Sequence, residues 1–142
     1  MIIDTTYILP LARIEIDTDL LKAILEDKTK NNITLDELKI SLISIFELQA
    51  KASKINIPAK DIVKAINIIL KSFRIIPFYQ KDIVEEAYKL RKILHDYIDC
   101  IILATAITHK EDLITEDSLI HGIKEKIERK YGIKIIRYSD LV

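Results

Sequence analysis

Short apolar runs alternate along the chain with longer stretches in which apolar residues recur every three or four positions. The runs 1–3, 113–115 and 133–136 are too short for helices and predict buried strands. Residues 62–70 carry an apolar stripe at helical spacing, which predicts an amphipathic helix. Residues 100–107 are apolar on nearly every side, which predicts a helix in the middle of the domain. Strands that alternate with helices in this way indicate an α/β fold around a mainly parallel sheet.

Weaker patterns complete the predicted order of elements. They predict helices over 20–25, 81–94 and 118–131, a strand that begins near residue 40, and a short strand over 75–78. Ser44 and Glu47 have the spacing of a capping box, so we expect a helix to begin at Ser44. We expect the helix content to be high.

The composition limits the class of protein. The chain has 142 residues without a repeat or a linker, so we expect a single domain, 1–142. Cys100 is the only cysteine, which excludes an intramolecular disulfide and a cysteine zinc cluster. No apolar run is long enough to span a bilayer, and Met1–Asp4 does not begin a signal peptide. We therefore expect a cytoplasmic protein that makes no contact with a membrane.

The charge of the chain is balanced. Lysine plus arginine and aspartate plus glutamate each number 22, which gives a formal net charge of zero. A protein that binds nucleic acid through bulk charge alone is usually basic. If the substrate is RNA, a local feature must therefore bring phosphate close to the protein.

Four acidic residues lie at the boundaries of predicted elements rather than among lysines on a helix face. Asp4 ends the first strand, and Glu47 lies in the first turn of a helix. Asp99 opens the most apolar helix, and Asp117 follows the strand 113–115. Strand ends and the following helix starts share one edge of a parallel sheet, so these carboxylates can converge. Clustered carboxylates repel one another and are tolerated mainly when a divalent cation neutralises them.

The same positions also suit purely structural roles. Glu47 can belong to a capping box with Ser44, and Asp99 can do the same with Asp96 as the N-cap. Helix capping explains the positions of two of the four acids and leaves the positions of the other two unexplained. The joint pattern therefore favours a metal site over four unrelated caps.

Four segments around these acids resemble the motifs of PIN-domain ribonucleases, and most nearly those of the toxin halves of VapBC-like toxin–antitoxin pairs. The segments are Met1–Leu9, Ile45–Leu48, Asp99–Ala106 and Leu113–Asp117. The third and fourth are the most specific, and order and spacing fit over essentially the whole chain. The resemblance implies a three-layer α/β/α sandwich, binding of Mg²⁺ or Mn²⁺, and hydrolysis of RNA phosphodiester bonds.

The resemblance also assigns roles and partners. The residues implied to be catalytic are Asp4, Glu47, Asp99 and Asp117. The residues implied to hold the metal are Asp4, Asp99 and Asp117. The resemblance implies RNA as the substrate, an antitoxin protein as a partner, and a homodimer. Apolar stripes on 62–70 and 83–94 exceed what a small core needs, and they also favour a homodimer.

Some residues near these motifs leave more than one interpretation open. Glu116 departs from the family pattern, because many relatives have a basic or neutral residue there, and it adds negative charge beside the site. Asp96 is a further acid. Thr5 and Thr115 can each hydrogen-bond a metal-bound water or a phosphate oxygen, or simply satisfy backbone groups at a turn.

Other functions also suit this pattern. One is a non-catalytic PIN-like interaction module, although acids at all four places count against it. Another is a PIN nuclease of RNA processing or quality control that has no antitoxin. A third is a phosphohydrolase or receiver-like domain with an acid at a strand end. A dehalogenase-like nucleophile motif would need a second aspartate two residues after Asp4, where Thr6 stands.

Overall fold

Five short strands form one sheet in the structure, a computed structural model that describes residues 1–142. The strands are β1 Ile2–Ile3, β2 Lys39–Ser41, β3 Arg74–Ile76, β4 Leu113–Ile114 and β5 Ile135–Ile136. They lie in the order β3-β2-β1-β4-β5, and every neighbouring pair is parallel. The predicted parallel sheet is confirmed.

Helices connect the strands and make up most of the chain. The α-helices are α1 Leu20–Leu25, α2 Leu42–Lys54, α3 Ala59–Ser72, α4 Lys81–Leu90, α5 Tyr97–His109, α6 Ser118–Gly122, α7 Lys124–Tyr131 and α8 Tyr138–Leu141. Two 3-10 helices cover Thr5–Ala12 and Leu35–Glu37. The expected high helix content is confirmed, whereas the apolar pattern did not predict Thr5–Ala12 or α8.

Each face of the sheet has its own apolar core, because successive residues of a strand point to opposite sides. Ile2 and Leu113 contribute to a core that includes residues of α4, α5, α6 and α7. Ile3 and Ile114 contribute to a second core with the Thr5–Ala12 helix, α1, α2 and α3. The sheet therefore lies between two helical layers, which confirms the three-layer α/β/α sandwich.

The central helix is α5. Residues 100–107 are all buried, as the lack of a polar face predicts. Asp96 caps the helix, and its carboxylate accepts hydrogen bonds from the amides of Ile98 and Asp99. The helix therefore holds Asp99 in its first turn at a fixed place relative to the sheet. None of the helices, α5 included, combines the length and apolar character that crossing a membrane requires.

The predicted start of α2 was wrong. The helix begins at Leu42, and its N-cap is Ser41, whose hydroxyl accepts a hydrogen bond from the amide of Ile43 at 3.3 Å. Ser44 is therefore not the cap, and Glu47 lies in the second turn instead of the first. Strand β2 passes into α2 without a loop, so Ser41 both ends the strand and caps the helix. The apolar run across this junction conceals the boundary.

Two other helices differ from their predicted lengths. The predicted helix over 118–131 is divided at Ile123 into α6 and α7, because that residue leaves helical geometry. The helix predicted over 81–94 ends at Leu90, although Leu94 is buried in the same core. Helical periodicity indicates which side chains are buried, and it does not show where the backbone hydrogen bonds of a helix stop.

Candidate functional site

The candidate site lies at the carboxyl edge of the sheet, between β1 and β4. The strand order reverses here, because β2 and β3 lie on one side of β1 whereas β4 and β5 lie on the other. Such a reversal leaves a crevice at the strand ends, where ligands bind in open α/β sheets. Asp4 directly follows β1, and Asp117 lies three residues after β4, so both acids emerge at this crevice.

Asp4 is the most tightly held of the four acids. Its side chain is buried, and its Oδ1 accepts a hydrogen bond from the Thr5 amide at 2.7 Å. Its Oδ2 accepts a hydrogen bond from the Thr115 hydroxyl, also at 2.7 Å. Burial raises the pKa of Asp4, and the two hydrogen bonds partly offset this rise because they favour the ionised form. The carboxylate is thus fixed between the ends of β1 and β4.

Asp99 lies in a half-buried position where negative charge accumulates. Burial, followed by repulsion from four neighbouring carboxylates, raises the pKa of Asp99 to about 7. These neighbours, in order of effect, are Asp117, Asp4, Asp96 and Glu47. No hydrogen bond offsets the rise, in contrast to Asp4. The four acids singled out in the sequence therefore act on one another electrostatically at one edge of the sheet.

Thr115 links two of these acids. Its hydroxyl donates to Asp4 and accepts a hydrogen bond from the Asp117 amide at 3.1 Å. Asp117 in turn caps α6, because its Oδ1 accepts from the Ile120 amide at 2.9 Å. Thr115 is fully buried. Of the two roles left open for it in the sequence, the structure shows hydrogen bonds that position Asp4 and Asp117.

Glu47 reaches the acids from α2. It forms an ion pair with Lys51, one helical turn away, at 4.0 Å. Glu47 raises the pKa of Asp4 and Lys51 lowers it, so both charges act on the buried carboxylate. One turn before Glu47, the Ser44 hydroxyl accepts a hydrogen bond from the Thr5 hydroxyl at 3.0 Å. This bond between two buried groups fixes α2 against the residue that follows Asp4.

Ser44 and Lys51 are absent from the set of site residues predicted from the sequence, in which Ser44 is only the start of a helix. The signal for Ser44 is a small polar residue within an otherwise apolar helix face. The signal for Lys51 is its spacing, because a residue four positions after Glu47 lies on the same face of the helix.

Glu116 points to another part of the molecule. Its Oε2 accepts hydrogen bonds from the Tyr7 hydroxyl at 2.6 Å and from the Tyr138 amide at 2.9 Å. Burial and the neighbouring Glu116 raise the pKa of Tyr7. Glu116 is not among the carboxylates that raise the pKa of Asp99. The departure from the family pattern at this position therefore connects the β4 loop to α8 and the Thr5–Ala12 helix.

The carboxylates at this edge are of the chemical type that binds a hard divalent cation. Carboxylate oxygens are the ligands that Mg²⁺ and Mn²⁺ favour. A cation would relieve the repulsion that, after burial, raises the pKa of Asp99. As the side chains stand, no three His, Cys, Asp or Glu side chains are arranged to hold a metal ion. Coordination by three carboxylates would therefore require side chains at this edge to change conformation, whereas hydrogen bonds from Thr5 and Thr115 hold Asp4 in place.

Comparison with known proteins identifies one family. The model of the PIN domain family matches residues 1–126. The structure is similar to a toxin–antitoxin complex from Klebsiella pneumoniae, with 28% identity, a TM-score of 0.61, and coverage of 86% of this chain and 91% of that chain. No curated protein has significant sequence similarity to the chain.

Two further solved structures share the fold at lower identity. FitAcB from Neisseria gonorrhoeae has 18% identity and a TM-score of 0.66, and the match covers 97% of each chain. VapBC2 from Rickettsia felis, bound to a DNA fragment from its promoter, has 20% identity and a TM-score of 0.62, with 96% of each chain covered. At these identities the likeness supports the fold alone.

The raised pKa of Asp99 predicts how stability depends on pH in the absence of divalent metal. Between the ordinary value of 3.8 and the folded value of about 7, the folded chain keeps a proton that the unfolded chain has lost. The free energy of unfolding should therefore fall as pH rises through this window. Asp99→Asn should remove much of the fall and be more stable than wild type above about pH 7. Thermal unfolding in EDTA across this range measures the effect.

A matched control for this measurement is Asp82→Asn, since Asp82 is an exposed aspartate in the first turn of α4. It should keep the pH dependence of the wild type. If Asp99→Asn and Asp82→Asn follow the same curve as the wild type, Asp99 does not carry the raised pKa.

The hydrogen bonds of Thr115 lead to a second prediction. Thr115→Val keeps the shape of the side chain but removes the hydroxyl, so the buried Asp4 carboxylate loses one of its two donors. We expect a loss of about 1–3 kcal/mol in the free energy of unfolding at neutral pH, measured by denaturant titration. Thr115→Ser restores a hydroxyl and should recover most of the loss. Equal losses in both variants would mean that packing of the γ-methyl group, and not the hydrogen bond, accounts for the effect.

Proposed function

The chain belongs to the PIN domain family, whose members are nucleases, and from this premise we propose that it is a divalent-metal-dependent endoribonuclease. The observation that carries the proposal is the group of carboxylates around the half-buried Asp99. Burial, and after it repulsion from these carboxylates, raises the pKa of Asp99 to about 7. Perturbed pKa values of this kind concentrate at functional sites. A purely structural N3 residue of a capping box would not need three further acids beside it.

The residues proposed to hold Mg²⁺ or Mn²⁺ are Asp4, Asp99 and Asp117. When bound, such an ion polarises a phosphoryl oxygen, lowers the pKa of a water molecule and stabilises the leaving oxygen. The proposed role of Glu47 is to orient the attacking water from the wall of the site. Asp4 is the ligand whose position is fixed most firmly, because the Thr5 amide and the Thr115 hydroxyl hold its two oxygens.

Lys51 supplies the positive charge closest to these acids on α2. It pairs with Glu47 at 4.0 Å, and about half of its side chain is exposed. A phosphate that approaches the acids would meet this ammonium group, which can form charge-assisted hydrogen bonds with phosphate oxygens. We propose that Lys51 helps to position the phosphate beside the site.

We propose further that the chain is the toxin component of a VapBC-like pair and acts in the cytoplasm with an antitoxin as its partner. The support is the likeness to a toxin–antitoxin complex over 91% of that chain. The exposed apolar side chains of α3 and α4 support a homodimer. Val63, Leu70 and Tyr88 are each more than half exposed. Apolar surface of this kind is typical of interfaces between protein chains.

The decisive variant for the nuclease proposal is Asp99→Asn. The amide keeps the shape of the side chain but removes the charge that would hold the metal. Cleavage of single-stranded RNA in Mg²⁺ or Mn²⁺ should fall by about two orders of magnitude or more, since activation of water would be impaired. The fold should survive, which thermal unfolding of the same sample checks.

Asp82→Asn again provides the control, because it makes the same chemical change in the first turn of another helix. It should cleave RNA at the wild-type rate. If wild type and Asp99→Asn cleave equally well, Asp99 is not a ligand of the catalytic metal. If the wild type cleaves no RNA in either metal, the non-catalytic interaction module becomes the better interpretation.

A further inference from the structure

A basic groove lies between the end of α4 and α7. It has a volume of about 390 Å³, and the charged residues that line it are all lysines. They are Lys89 and Lys92 on one side, and Lys126 and Lys130 on the other. The remaining lining residues are aliphatic or aromatic. Glu86 lies beside the groove and pairs with Lys89, whereas the other three lysines have no carboxylate within 4.0 Å.

A second hollow continues the groove along α7. It shares Lys126 and Lys130 with the first, adds Lys124 and Arg129, and has a volume of about 600 Å³. Glu125 is the one acid that lines it. We call the six basic residues of the two hollows the basic track: Lys89, Lys92, Lys124, Lys126, Arg129 and Lys130.

The basic track concentrates positive charge in a chain whose net charge is zero. Residues 121–134 contain five basic and two acidic residues. Of the track residues, only Lys89 has a carboxylate within 4.0 Å, that of Glu86. The dipoles of α7 and α4 favour the basic residues in their last turns, which are Arg129, Lys130 and Lys89. They do not account for Lys92, Lys124 or Lys126.

The basic track leads to the acidic edge of the sheet through α6. His121 lines the second hollow, and its Nε2 lies 2.7 Å from the carbonyl oxygen of Thr115. Asp117 caps the same short helix, four residues before His121. Four residues of a helix rise about 6 Å, so His121, at the edge of the second hollow, lies about one helical turn from an acid of the site.

We propose that the basic track binds the phosphate backbone of single-stranded RNA and directs the strand to the acidic site. The inference rests on the proposed nuclease function and adds the surface on which the substrate lies. Carboxylates alone would repel RNA, and a neutral chain offers no bulk attraction. Fixed cations along a groove supply a local attraction, because each phosphate that they neutralise releases condensed counterions.

The position of the basic track favours RNA over an acidic segment of a protein. An acidic protein segment would need no connection to the catalytic edge, whereas a substrate strand must pass through it. Contacts of lysine with phosphate carry no sequence information. The track therefore positions the strand, and any choice of cleavage sequence arises closer to the acids.

The test is a pair of double variants. Lys126→Gln with Lys130→Gln removes two exposed charges that line both hollows, four residues apart on α7. Lys60→Gln with Lys64→Gln removes the same number of exposed charges at the same spacing on α3, in the layer on the other face of the sheet. Binding of a labelled single-stranded RNA is measured in EDTA at several salt concentrations, so that binding is observed without cleavage.

The α7 pair should weaken RNA binding by roughly 10- to 30-fold at about 0.1 M salt and reduce the salt slope by about 1.4, because two phosphate contacts are lost. In the cleavage assay with metal, KM should rise with little change in kcat, since binding common to substrate and transition state is removed. The α3 pair should leave the affinity and the slope close to those of the wild type.

An equal loss in both pairs would overturn the proposal, because the attraction would then come from overall charge. Unchanged binding in the α7 pair, or wild-type protein that binds a polyglutamate peptide but no RNA, would overturn it as well. If the wild type binds RNA through the track but cleaves none in metal, the nuclease proposal fails while the RNA surface stands.

Discussion

Burial of the Asp4 carboxylate between the ends of β1 and β4 has a free-energy cost, which hydrogen bonds from Thr5 and Thr115 partly offset. The Thr115 bond ties Asp4 to a segment more than a hundred residues later in the chain. It crosses the point where the strand order reverses, so it links the two sides of the crevice there. The half-buried Asp99 has no such hydrogen-bond donors, so burial and repulsion from the neighbouring carboxylates raise its pKa to about 7.

Apolar packing holds the elements around this edge in place. Two cores of aliphatic side chains enclose the sheet, and α5 is buried through most of its length. Asp4 and Asp99 thus lie at the ends of elements that are packed into these cores. Crowded carboxylates of this kind suit the proposed divalent cation, and the raised pKa of Asp99 predicts a lower stability at neutral pH when the cation is removed.

Much of the fold could be predicted from the sequence, because the positions of apolar residues in strands and helices indicate which side chains are buried. The parallel sheet, the buried α5 and the Asp96 cap follow from local patterns. The start of α2 and the division of α6 from α7 do not, since apolar periodicity continues across both boundaries. The hydroxyl links of Thr115 and Ser44 and the orientation of Glu116 depend on contacts between distant segments, which no local pattern records.

The most direct test of the acidic edge as a metal centre is calorimetric titration of Mn²⁺ into the protein near pH 7, in buffers of different ionisation enthalpy. We expect the wild type to bind Mn²⁺ and to release part of a proton in doing so, because the cation displaces the proton that Asp99 keeps at this pH. Asp99→Asn should bind Mn²⁺ more weakly and release almost no proton. Equal affinity and equal proton release in the two proteins would contradict the central claim.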